Sequence, residues 1–148
     1  MSVTHNMTLA SLRGFSRYTV LAKNRERRLA QDMIKTLVMR SVVPEKAVGT
    51  LSGGTQQKVI FAKWLASTAK ILLFDEPTRG IDVGAKEEIY ELITQFVREG
   101  GSVLMFTSEL PEVMMCDRVL VIARGRLVGD LRHEEIDPHG DAILHLFH

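Results

Sequence analysis

The sequence lacks a second cysteine: Cys116 stands alone among 148 residues, so no internal disulfide can form. A lone cysteine suits a reducing compartment, and Cys116 reads as a small core residue. Long apolar runs are missing as well, and nothing approaches the ~20 residues that span a bilayer. The opening MSVTHNMTLA has neither a basic n-region nor an apolar h-region, which predicts no secretory signal. Internal repeats and low-complexity stretches are absent. What is present, 45% hydrophobic and 25% charged residues, is the balance of a soluble globular chain rather than a disordered one. The length is that of one ordinary domain, with a thin margin for burying a core if a natural neighbour is cut away.

Net charge is near zero, but the charge is unevenly placed. Of the 19 Lys/Arg and 18 Asp/Glu, the first 50 residues hold nine and three, leaving 10 and 15 for the rest. A basic first third raises the question of nucleic acid or a membrane surface. The segment from Arg25 to Arg40 answers against it. Leu29, Met33 or Ile34, and Leu37 recur at helical spacing, and no aromatic residue is interleaved to stack on bases. A solvated helix face explains these charges, and no nucleic-acid partner is expected.

A soft boundary falls at 43–50, where Pro44 and Gly49 interrupt the helical pattern. Before it the chain reads as mostly helix. After it, helix and strand alternate: a helix over 56–67, a strand over 71–74, and a helix over 85–99 striped by Ile89, Leu92, Ile93 and Phe96. Strands follow over 102–106 and 118–123, with a short helical segment over 111–115 between them, and Gly125 turns the chain into a last strand over 126–130. Such alternation implies a mainly parallel sheet with flanking helices. The runs ILLF and VLVIA fit strands covered on both faces. The tail HEEIDPHGDAILHLFH shows no metal-ligand spacing and reads as a surface helix.

Two motifs carry chemistry. In LSGGTQQK (Leu51 to Lys58), two glycines permit close backbone approach, and the helix that follows presents free N–H groups at its positive end. Ser52 adds a hydroxyl there. This is an anion site by construction, although Ser-Gly-Gly also starts helices as a plain N-cap. In ILLFDEP (Ile71 to Pro77), an apolar strand ends in two adjacent carboxylates, Asp75 and Glu76, where ligands bind in open α/β sheets. One can hold Mg²⁺ while the other polarises water. Capping of a strand-to-helix turn is the plainer alternative.

LSGGTQQ, ILLFDEP and RGID, in that order, resemble the ATP-binding cassette (ABC) ATPases, and nearly the whole chain takes part. DEPTRGIDVGAK followed by TSELPEV resembles one subgroup in particular. That subgroup is the second nucleotide-binding domain of tandem-domain ATPases that energise bacterial ribose, xylose and galactose-type importers. The resemblance implies an α/β fold: an incomplete P-loop NTPase (ABC) domain, with a helical subdomain followed by part of a mainly parallel sheet. Residues 1–50 would be part of the helical subdomain, 51–132 the signature, Walker B, D-loop and switch portion, and 133–148 a tail.

It also implies roles. Ser52, Gly53 and Gly54 match the signature that contacts the γ-phosphate of ATP held by an opposing domain, and Gln56 lies in the same motif. Asp75 matches the aspartate that helps hold Mg²⁺, Glu76 the general base toward water, and Asp82 the D-loop aspartate that communicates across the dimer. ATP and Mg²⁺ are the implied cofactors. The implied partners are a second ABC nucleotide-binding domain, membrane permease subunits and a sugar-binding protein. The implied location is the cytoplasmic face of the inner membrane. The membrane contact would come from the helical region before residue 50.

Two departures qualify these expectations. Ser108 stands at the switch position where the family usually has His, so it can donate a hydrogen bond but cannot carry an imidazolium charge. No G-x-x-x-x-G-K-[ST] occurs in the 148 residues, and the glutamine loop is missing too. The family places both upstream of the point where this sequence begins. The chain therefore reads as the C-terminal portion of such a domain. A free-standing module that completes a partner's ATP site in trans, and a piece of a non-transport ABC protein, are the other readings. Purified alone, the chain is expected to release no phosphate from ATP. Steady release that disappears on Glu76→Gln would contradict that expectation.

Overall fold

The computed structural model describes residues 1–17, 20–137 and 140–147. Its elements are α1 (Val3–Thr8), α2 (Leu12–Phe15), β1 (Ser16–Arg17), β2 (Val20–Leu21), α3 (Lys23–Thr36), α4 (Gly53–Leu65) and β3 (Ile71–Asp75). They continue with α5 (Val83–Arg98), β4 (Ser102–Phe106), α6 (Leu110–Val113), β5 (Arg118–Ala123), β6 (Arg126–Arg132) and α7 (Asp141–Leu144). The chain forms two compact units, Met1–Met105 and Phe106–His148.

In the first unit, α1 packs on α3 and α4. Val3, Met7, Ala30, Leu37, Met39, Val59 and Ala62 form the buried cluster, with Met33, Ile34 and Leu92 packed around it. The helical spacing of α3 thus buries one stripe, while Arg25, Arg27 and Arg28 lie exposed on the other side. One polar pair sits inside: Thr8 Oγ1 donates to the buried Glu26 carboxylate at 2.6 Å. A buried acceptor that is hydrogen-bonded in this way avoids the cost of an unpaired polar group between α1 and α3.

Two helices end in the same Schellman pattern with different residues at its demanding position. After α5, Gly101 N–H donates to Phe96 O and Gly100 N–H to Val97 O, with Gly100 at φ 93°. After α3, Met39 N–H donates to Ile34 O and Val38 N–H to Lys35 O, so Val38 takes the left-handed position at φ 49°. A β-branched residue there is strained. Burial of Met39 against the cluster holding Ile34 keeps the turn in place.

The next elements form a strand–helix–strand unit. β3 and β4 are neighbours in a two-stranded sheet and are connected through α5. A crossover helix is what parallel neighbours require. Both strands and α5 appear where the alternating pattern placed them. The helix starts moved: α4 begins at Gly53 and α5 at Val83, because Ser52 and Asp82 cap them. β6 extends to Arg132, beyond the expected 130.

The runs expected to be covered on both faces are covered on one. Leu72 and Phe74 are buried, and the Phe61 ring of α4 stacks on Phe74 with centroids 5.5 Å apart. Ile71 and Leu73 are 63% and 68% exposed on the opposite face. In β5 only Val121 is buried, while Leu120 and Ile122 are exposed. Apolar residues on alternate faces make a continuous run whether or not both faces are covered, so the run alone cannot distinguish the cases.

In the second unit β5 and β6 pair antiparallel through Arg124 and Gly125, with a register irregularity at Val121/Ile122. The tail forms short 3-10 turns and the four-residue α7 rather than one surface helix. Its residues 138, 139 and 148 lie outside the described residues. No described helix is long and apolar enough to cross a membrane.

Val38→Gly is expected to stabilise the chain, because Val38 is 60% exposed and loses little packing. An L-residue pays about 1–2 kcal/mol at positive φ, part of which returns as glycine's unfolded-state entropy, leaving a gain of about 1 kcal/mol. Urea unfolding of the two chains checks the sign.

Candidate functional site

The signature segment is built around the start of α4. Leu51 is extended, Ser52 is the N-cap, and Gly53 and Gly54 begin the helix. Ser52 Oγ accepts from Thr55 N–H at a long 3.4 Å and lies 2.9 Å from Thr55 Oγ1. When the Thr55 hydroxyl donates in that pair, the Ser52 proton is left to point outward. Gln56 pins its own loop: Nε2 donates to Leu51 O at 2.8 Å. Ser52 and Gly53 are exposed, and a side chain at 53 would meet nothing within 4 Å. Exposed N–H groups at the positive end of a 13-residue helix attract an anion. The same Ser52 is also a working N-cap, so both readings of the motif hold at once.

Gly54 explains why the second glycine is needed. It is buried, and a Cβ there would lie 2.5 Å from Ala85 Cβ and 3.5 Å from Ile81 Cγ2. The first turn of α4 therefore lies against the first turn of α5. Asp82 caps α5, its Oδ1 accepting from Ala85 N–H at 3.0 Å, and its side chain stays exposed. Two motifs separated by some 30 positions in sequence are thus brought side by side at two helix starts.

The carboxylate pair stands at the end of β3. Asp75 is exposed and Glu76 half-buried, and Glu76 takes φ 47°. A glutamate in the left-handed region costs free energy and clusters at functional sites. The turn beyond it is anchored: Pro77 and Thr78 are buried, Thr78 Oγ1 lies 3.4 Å from Tyr90 OH of α5, and Arg79 N–H donates to Glu76 O. Among the described residues no three His, Cys, Asp or Glu group as a metal cage. Asp75 by itself offers the hard oxygen that Mg²⁺ takes from protein when phosphates and water complete its shell. Ser108 belongs to the second unit, exposed in the stretch 107–109, where Glu109 N–H donates to Thr107 Oγ1.

The family model described as ABC transporter matches residues 2–79, more than half of the chain. The chain belongs to the ABC transporter family. Its relatives include the ribose import ATP-binding protein RbsA of a Bacillus cereus strain, 47% identical over 135 residues. That match covers 90% of this chain and 27% of the relative. The ribose import ATP-binding protein RbsA of Yersinia pestis is 44% identical over 137 residues, covering 92% of this chain and 27% of the relative. The chain thus spans about a quarter of the length of these relatives. Among solved structures, the dimeric post-hydrolysis ABC protein MJ0796 bound to ADP and Pi superposes with a TM-score of 0.74 at 23% identity. It is matched over 90% of this chain and 57% of that one. MJ1267, an ATP-binding cassette of an ABC transporter, gives a TM-score of 0.75 at 18% identity, over 100% of this chain and 63% of that one. At these identities the structures speak to the ABC fold alone.

Sequence reasoning left one polar centre beside these helix starts unread. Lys58, the last residue of the signature segment, is buried, with Nζ 3.0 Å from Leu37 O and 2.7 Å from Glu88 Oε2. A lysine inside an otherwise mixed motif gives no signal of burial; only its acceptors, 21 and 30 positions away, reveal it.

Two outcomes follow from this geometry. Gly54→Ala is expected to destabilise the chain by about 1–3 kcal/mol through overpacking. Ala85→Gly in the same chain should return most of the loss, and a calorimetric comparison of the single and double variants checks it. Burial, helped by Asp117 and Glu112, pushes the Cys116 thiol above its usual range. Its alkylation at neutral pH should therefore run slower than that of free cysteine, as thiol titration will show.

Proposed function

We propose that this chain is part of the ATP-hydrolysing subunit of an ABC sugar importer, in which its signature segment closes on a nucleotide held by a second nucleotide-binding domain. The observation that supports this most is the packing of the α4 start on the α5 start at Gly54. It leaves Ser52 and Gly53 exposed near Asp82, the N-cap of α5. Ser52 Oγ–H and the first N–H groups of α4 donate to the outermost phosphate of the partner's ATP, where they offset the charge that builds as the phosphoryl bond breaks. The α4 dipole adds to that effect.

Asp75 and Glu76 serve the other nucleotide, the one held by this chain's own domain. Asp75 would hold Mg²⁺, which when bound neutralises phosphate charge. Glu76 accepts a proton from water, and its strained backbone fixes where the carboxylate points. Neither residue has a P-loop lysine to work with inside these 148 residues, so the chain alone binds no nucleotide productively. Ser108 at the switch position makes hydrolysis slower there than a histidine would, because a hydroxyl donates without positive charge.

The names of the relatives, ribose import ATP-binding proteins, support sugar uptake as the process served. The partners are a second nucleotide-binding domain, permease subunits and a sugar-binding protein, with the helical region before residue 50 facing the permease. The place of work is the cytoplasmic face of the membrane.

In the assembled transporter, Ser52→Arg is expected to lower sugar-stimulated ATP turnover by about 10²-fold or more, as loss of a transition-state donor does. Unchanged turnover would remove the signature reading. Ser108→His in the same assembly should raise single-turnover phosphate release at that site, measured by rapid quench.

A further inference from the structure

Lys58 sits one turn beyond the signature glycines on α4, and its ammonium is the meeting point of three helices. It donates to Leu37 O, at the end of α3, at 3.0 Å. It also pairs with Glu88 Oε2, on α5, at 2.7 Å. The lysine side chain is 7% exposed and that of Glu88 is 55% exposed, so the lysine is enclosed while its anion reaches water. Enclosing a lysine costs desolvation that only well-placed acceptors offset. These two acceptors lie on different helices, and each is held by its own element.

Leu37 is the residue before Val38, whose φ of 49° places the strained point of the α3 turn immediately after the carbonyl that Lys58 grips. On the other side, Glu88 is one turn along α5 from Ala85, the residue that abuts Gly54. The starts of α4 and α5 are therefore joined twice, by the Gly54–Ala85 contact and by the Lys58–Glu88 pair. A hydrogen bond to the end of α3 secures the same lysine.

We propose that Lys58 is a positioning residue for the signature: it fixes Ser52 and Gly53 relative to Asp82 and locks both to the strained end of α3. The proposal rests on the reading of Ser52 to Gly54 as a contact to a partner's nucleotide. When the end of α3 shifts, the Leu37 carbonyl moves and Lys58 carries the shift to the phosphate-facing end of α4. Lys58 touches no substrate and acts through the helix it holds.

The test compares Lys58→Met, Lys58→Arg, Glu88→Gln and Ser52→Arg in the assembled transporter, reading kcat and KM for ATP, thermal stability, and hydrogen exchange of the 53–55 amides. Glu88→Gln keeps the fold if Lys58→Met does not, because its carboxylate is half-exposed. The expected result is that Lys58→Met and Glu88→Gln lower kcat several-fold with KM nearly unchanged. Exchange at 53–55 should rise in both by more than any fall in melting point accounts for, and Lys58→Arg should keep most of kcat. Wild-type kcat and exchange in Glu88→Gln, alongside a dead Ser52→Arg, would overturn the positioning role and leave the signature reading standing. Losses that follow the melting point alone would overturn it equally. Full turnover in Ser52→Arg would remove the signature reading, and this proposal with it.

Discussion

Two helices can begin side by side in this chain because residue 54 has no side chain. Any Cβ there would meet Ala85 at 2.5 Å, closer than carbon atoms pack. From that approach much of the first unit follows. It sets the start of α4 next to Asp82, turns Ser52 and Gly53 outward, and brings Lys58 within reach of Glu88. The buried cluster of α1, α3 and α4 then supplies the body against which these short-range contacts are held. Packing against a body of buried apolar side chains resists small displacements, so the start of α4 is held in place.

The site combines strain with capping. Val38 and Glu76 occupy left-handed backbone positions that glycine would fill without cost, one beside the Leu37 carbonyl and the other at the end of β3. Each is held by its neighbours: Val38 by the buried Met39, Glu76 by a turn whose Pro77 and Thr78 are fully enclosed. Ser52 and Asp82 do more ordinary work, satisfying N–H groups at helix starts. A cap and a ligand contact use the same atoms, so a residue can serve the fold before any nucleotide arrives.

Much of this was legible in the sequence, and for physical reasons. The stripe Ile89, Leu92, Ile93 and Phe96 and the strands over 102–106 and 118–123 follow from periodicity, which burial enforces directly. LSGGTQQ and ILLFDEP announced themselves because glycines and paired acids are costly in those places without a use. The features that escaped depend on distant partners. Burial of Lys58 needs Leu37 and Glu88, the strain at Val38 needs the Schellman bonds, and the open faces at Ile71, Leu73, Leu120 and Ile122 need knowledge of what packs opposite. Helix starts slipped by two or three residues because caps, not stripes, decide them.

The central claim is that the exposed start of α4 meets a nucleotide carried by another domain. The most direct measurement is the amide resonances of Gly53 and Gly54 in ¹⁵N-labelled chain, titrated with Mg²⁺–ATP with and without a P-loop-containing ABC domain. The account predicts that both resonances shift only when nucleotide and partner domain are present together. Shifts with Mg²⁺–ATP alone, or none with both present, would contradict it.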